Sequence, residues 1–220
     1  MKKLITAIVL CALCAGIFYL IEARRTAPTT KCNATGAIAV IEARRSIRNY
    51  TTEAVERETL QRIAEYGILA PSARNAQNWE VRIVDSKEWI DRCTAAYVKS
   101  IEGTDAAKWV IGEGFRNMFR NAPAVIFVAV HPEKGYGYDD VHVGLLSQNI
   151  MLAAEELGLG TCFLGSPLAF LNSEHPEGSK FLAEIGFSEG YRLRCAIAIG
   201  HPDDKPKPQE RDKSVIRFVE

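Results

Sequence analysis

Seven consecutive residues, Ala124 to Val130 (A-V-I-F-V-A-V), are apolar without a break. A run of that length without a polar position predicts a strand covered on both faces. Leu193 to Ile199 has the same character and predicts a second buried strand. Trp79 to Val84 alternates apolar and polar, the pattern of a strand with one wet face. Gly160 to Leu164 reads as a further strand. Between these runs the period lengthens. Leu60, Ile63, Ala64 and Ile68 recur at helical spacing and place a helix over Val55 to Leu69, which Pro71 ends. Helices are also predicted over Ala37 to Arg45, Glu88 to Ile101, Val143 to Leu157 and Phe181 to Ile185, with Gly158 as the stop of the fourth. Glu102 to Asn121 mixes glycines with aromatic and charged residues and reads as a loop or irregular helix beside a site. Helices alternating with buried strands make the class α/β or α+β.

The first residues follow a different pattern. Lys2 and Lys3 precede an uncharged apolar run, Leu4 to Ile21, and Arg24 and Arg25 follow it. The run approaches the roughly twenty residues that span a bilayer and exceeds a usual signal-peptide core. Residues 1–26 therefore read as a signal or anchor segment, with an uncleaved anchor favoured, and 27–36 as a linker rich in proline, threonine and glycine. This places the protein at the membrane or in the cell envelope. Both flanks are basic, so the side is left open, with the lysine start favouring export. Residues 37–220 form the single remaining domain.

Composition narrows the partners. The 220-residue chain is 47% hydrophobic, enough for a sizeable core. Its 27 basic and 27 acidic residues leave no excess for a nucleic-acid face. Cys162 and Cys195 lie in apolar segments and read as small core hydrophobes. No cysteine spacing outside the leader suggests zinc, so no metal is expected. The histidines, His131, His142, His175 and His201, fall into no acid–base constellation.

The candidate chemistry lies in two short segments. Residues 44–50 read R-R-S-I-R-N-Y, and 70–79 read A-P-S-A-R-N-A-Q-N-W. In an extended segment the side chains of Arg44, Ser46 and Arg48 point the same way and could face one anion. Arginine suits phosphate because its planar fork donates two parallel hydrogen bonds. Asn75 and Gln77 offer both donors and acceptors, which suit the edge of a heterocycle. A solvated basic turn and a polar loop remain open on these residues alone.

R-R-S-I-R at 44–48, P-S-A-R-N-A-Q at 71–77 and G-L-G-T-C-F-L-G at 158–165 together resemble the nitroreductase family of FMN-dependent oxidoreductases. The resemblance runs from about Ala37 to the C-terminus. It implies an α+β fold with a central mixed sheet flanked by helices, in a homodimer with FMN at the interface. Arg44, Ser46 and Arg48 would hold the ribityl phosphate, with Arg45 in support. Asn75, and less directly Gln77, would meet the isoalloxazine edge. The turn at Leu164, Gly165 and Ser166 would bring a backbone N–H near the flavin N5. Lys207 and Arg211, in the K-P-K-P…R tail, would reach the phosphate. Absence of a protein acid–base set suits an enzyme whose cofactor carries the hydride.

The implied activity is electron transfer from NAD(P)H, or another donor, to nitroaromatic, quinone or activated-alkene acceptors. A flavin-binding module and a flavin-dependent tailoring enzyme, such as a dehalogenase, are the alternatives. The sequence also departs from the family. Asn78 replaces a common proline and is expected to loosen the loop. Gln209 and Glu210 stand where further basic residues often occur and should weaken the clamp. The insertion that often roofs the substrate pocket is short.

Overall fold

The computed structural model describes residues 36–219. The leader and most of the linker lie outside the described residues. Among the described residues no helix is long and apolar enough to cross a membrane.

The first helix, α1 (Ala37–Ala43), buries none of its residues. The next, α2 (Arg57–Gly67), buries Leu60, Ile63, Ala64 and Gly67, a stripe at the spacing the sequence predicts. Strand β1 (Trp79–Val84) follows a turn. Helix α3 (Lys87–Ser100) starts where the Ser86 hydroxyl accepts the Trp89 N–H at 3.2 Å. A short α4 (Asp105–Val110) lies in the segment left irregular above. Strand β2 (Ala124–Val130) is buried at every position. Helix α5 (Asp139–Glu156) starts four residues earlier than the apolar pattern suggests, in Asp-Asp, the acidic first turn a helix N-terminus favours. Then come β3 (Gly160–Phe163), α6 (Ser166–Leu171), α7 (Pro176–Ile185) and β4 (Arg192–Gly200). The sequence pattern missed α6 and the first half of α7. Both carry proline in the first turn, which fits a helix start but reads as a breaker in a short window.

The sheet has order β1-β2-β4-β3 and every named pair is antiparallel. The parallel part of the expected mixed sheet is a single bridge, Ser46 to Thr161, on the outer edge of β3. β2 explains the layering. Val125 and Phe127 point into a cluster with Trp89, Phe119, Phe170 and Phe181. Ala124, Ile126, Val128 and Val130 point into a second cluster with Leu60, Ile63, Leu146 and Ile150. Trp89 packs edge-on to Phe181 at 5.4 Å between centroids. Burying each such large side chain contributes about 1.5–3 kcal/mol. Cys162 and Cys195 are buried free thiols, as expected.

Candidate functional site

Arg44 to Arg48 runs extended along the edge of β3. Ile47 N–H donates to Thr161 O at 2.9 Å, and Ser46 forms the bridge to the same residue. This pairing makes the alternation real. Ile47 is buried in the core on one side, so Ser46 and Arg48 point the other way. Arg44 and Arg48 both act electrostatically on the Cys162 thiol, where burial pushes the pKa up and these guanidiniums pull it down. Arg45 belongs to the opposite face. Its Nη1 donates to Glu42 O at 2.6 Å and Arg44 O at 2.8 Å, and it lines a cleft of about 340 Å³ that Asp204 also borders. Its support is a brace on the chain entering the strip.

Two residues that the sequence reading missed adjoin the strip. Arg120 is exposed, has φ 59°, and is a third cation lowering Cys162. The loop before it is tied by Asn121, whose side chain accepts the Arg116 and Asn117 N–H groups and donates to Gly114 O. Arg116 in turn donates to Tyr50 O at the end of the strip. The other residue is Asp204, whose Oδ2 accepts the Arg48 N–H at 3.4 Å. Its Oδ1 is buried without a protein partner. Three guanidiniums, a serine hydroxyl and one orphan acceptor suit a ligand with a phosphate and adjoining hydroxyls.

At the far end of β3, Leu164 is buried and its N–H already donates to Ala196 O at 2.8 Å. That leaves Gly165, the N-cap, and Ser166, the first residue of α6, with N–H groups free of helical partners. A Cβ at Gly165 would meet nothing within 4 Å, so the chain there borders open space.

Asn75 and Gln77 are exposed in a tight turn rather than an extended run. Arg74, Asn75 and Gln77 all have positive φ, at 53°, 55° and 45°. The Gln77 N–H donates to Ser72 Oγ at 3.0 Å. The expected loosening by Asn78 is overturned. Asn78 is 1% exposed and donates through Nδ2 to Asp139 Oδ1 and His131 O, while its Oδ1 meets His142 Nδ1 at 2.8 Å. A proline ring would rigidify this position through φ alone. Asn78 does so through three side-chain hydrogen bonds to buried or part-buried groups.

The two segments do not converge within one chain. The 71–77 turn lies over the start of α5, beside Tyr138 and His142, and the Arg45 side of the strip lies over its end, beside Glu155 and Gly158. His142 and Glu155 are separated by ~20 Å of helix. The tail residues Lys207 and Arg211 are exposed, and Arg211 donates only to the carbonyls of Gln209 and Glu210. Among the described residues no hydrogen bond joins either to the strip, although Lys205, Pro206 and Pro208 line the cleft beside Arg45. A larger cleft, about 570 Å³ between α7 and the start of β4, holds none of the sequence-predicted residues.

An α+β core with an arginine-rich strip on a sheet edge defines the class. The chain belongs to the nitroreductase family, whose model matches residues 41–201. A nitroreductase with bound FMN from Desulfitobacterium hafniense is 34% identical, with TM-score 0.73, over 85% of this chain and all (100%) of that one. An NADPH-flavin oxidoreductase of Vibrio harveyi is 26% identical over 79% of this chain and 69% of its own. An iodotyrosine deiodinase of Thermotoga neapolitana is 25% identical over 80% of this chain and 93% of its own.

Proposed function

We propose that this protein is an FMN-dependent NAD(P)H oxidoreductase that reduces small acceptors such as nitroaromatics, quinones or activated alkenes. The observation that carries this reading is the strip of Arg44, Ser46 and Arg48 along the outer edge of β3, with Arg120 a further cation acting on Cys162 and the open Gly165 turn following the strand. When bound, FMN supplies reversible hydride transfer. Arg44, Arg48 and Arg120 neutralise its phosphate, and Ser46 donates a further hydrogen bond. Asp204 Oδ1, which lacks a partner among the described residues, would accept from a hydroxyl of the ligand. The N–H of Gly165 or Ser166 would be offered to the flavin ring from this open turn. Asn75 and Gln77 bond the ring edge. None of these groups carries a proton through the reaction; they bind, orient and fix charge.

The reading includes a homodimer. The turn bearing Asn75 and the arginine strip sit at opposite ends of α5, so a second copy completes each site. An exposed apolar stripe supports this. Tyr138, Val141 and Leu145 are 56%, 55% and 40% exposed on one flank of α5, beside the turn. The apolar tail residues Val215, Ile216 and Phe218 are exposed as well, and the tail with Lys207 and Arg211 packs on the partner.

The purified protein should be yellow, with stoichiometric FMN, and should oxidise NADH or NADPH with a quinone or nitroaromatic. A colourless protein that takes up no FMN refutes the reading. Reductive dehalogenation on the same scaffold is the second reading, favoured by the likeness to the Thermotoga protein named iodotyrosine deiodinase. Halide release from a halogenated phenol would select it. On sequence grounds, Leu4 to Ile21 tethers the domain to a membrane or directs its export. Full-length protein in the soluble fraction with its leader intact would exclude the tether.

A further inference from the structure

His142 is a buried titratable group that the proposed chemistry does not use. It lies in the first turn of α5 and is 2% exposed. Its Nε2 accepts the Ala73 N–H at 2.9 Å. An acceptor nitrogen carries a lone pair, so in the neutral ring the proton sits on Nδ1. Nδ1 faces Asn78 Oδ1 at 2.8 Å and donates to it. Asn78 in turn spends its amide hydrogens on Asp139 Oδ1 at 2.8 Å and His131 O at 3.2 Å. Both ring nitrogens and both ends of the amide are therefore committed. Such a pair has no free site for proton exchange with a substrate. It can hold backbone.

What it holds is the turn 72–77. Three of its non-glycine residues are left-handed, a conformation that persists only where the surroundings over-determine it. Ala73 opens the turn and Asn78 closes it, and His142 bonds both. The Trp79 ring packs edge-on to the imidazole, 6.3 Å between centroids.

We propose that His142 is a positioning residue. Through the Ala73 amide and the Asn78 carboxamide it sets the turn that presents Asn75 and Gln77 to the flavin edge. The proposal rests on the FMN reading above. A residue with this role changes the ring's surroundings without touching the ring.

Three variants test it, compared by FMN affinity, visible circular dichroism of the bound flavin, and flavin midpoint potential. His142→Leu removes both ring nitrogens. It should bind FMN about tenfold more weakly, with an altered visible spectrum and a shifted potential. His142→Gln keeps an acceptor near the position of Nε2 and should restore most of each. Ala73→Pro breaks the same bond from the turn side, replacing the donated N–H with a ring carbon aimed at Nε2, and follows a Ser72 that is already extended (φ −137°, ψ 151°) as a residue before proline requires. It should reproduce the spectral and potential shifts of His142→Leu even if that variant fails to fold. Wild-type protein that takes up no FMN overturns the flavin reading and this proposal together. Wild-type protein that binds FMN, beside an Ala73→Pro variant with unchanged spectrum and potential, overturns the proposal alone. A His142→Gln variant that behaves like His142→Leu also overturns it, because the acceptor would then not be what matters.

Discussion

Ile47 lies directly over the bare backbone of Gly160. A Cβ built on Gly160 would sit 2.6 Å from Ile47 Cγ1 and 2.8 Å from its Cβ. No side chain fits there. The contact lets Ile47 enter the core while Ser46 and Arg48, its neighbours, stay on the outer face of the sheet edge. Gly160 thus sets how closely the arginine strip docks on β3. Gly160→Ala should destabilise the fold by about 1–3 kcal/mol through overpacking and should weaken FMN binding as well. Thermal unfolding and flavin titration check the two effects. A variant with normal stability and normal flavin affinity would show that the strip docks by other means.

The arginines themselves should dominate affinity. Losing one charge-assisted contact costs on the order of 1.5–3 kcal/mol, ten- to hundredfold or more in Kd. Arg48→Ala and Arg44→Ala should each fall in this range. Arg120→Ala should weaken binding too, although it lies outside the sequence motif. Arg45→Ala should have the smallest effect of the four, because Arg45 alternates to the other side of the strip and is held there by two local carbonyls. Equal losses at Arg45 and Arg48 would contradict the two-faced arrangement.

The tail can be removed without cutting into the sheet edge. Asp203 N–H donates to Asn49 O at 2.9 Å, and Pro202 bridges to Tyr50, so the chain should be kept through Asp204. Deleting residues 205–220 should lower both dimer stability and flavin occupancy. Analytical ultracentrifugation and the flavin-to-protein absorbance ratio measure them. A fully loaded dimer after truncation would remove Lys207 and Arg211 from the site.

Acid stability should depend on Asp85. Arg57 donates to both of its oxygens, at 2.5 and 2.9 Å, and these bonds hold the carboxyl below the ordinary range. A depressed carboxylate stabilises the fold above the unfolded-state pKa, about 3.9. That contribution is lost as the pH falls through the folded-state value. Asp85→Asn should therefore lower Tm at pH 7, and the difference from wild type should shrink as the pH drops below about 4. A difference that stays constant down to pH 2 would mean that charge has no part in it.

Much of this protein is local and so could be read directly. The buried strands Ala124 to Val130 and Leu193 to Ile199 declared themselves as apolar runs, because a strand covered on both faces needs no polar position. The alternation of Arg44, Ser46 and Arg48 was legible for the same reason: a strand repeats every two residues wherever it lies. Which way that alternation faced was not. It was decided by Ile47 seeking the core and by Gly160 leaving room for it, 113 positions along the chain. Arg120 joined the cations through a loop tied by Asn121, and no periodicity announces such a loop.

Asn78 marks the boundary most clearly. From sequence it was a missing proline and a looser turn. In the fold it is anchored by His131, Asp139 and His142, residues 53, 61 and 64 positions away. A side-chain amide carries no signal of whether its donors and acceptors will be met by water or by protein. That depends on which groups the packing of α5 against the start of β1 leaves within 3 Å or so, and hydrogen-bond partners are chosen only once that packing exists.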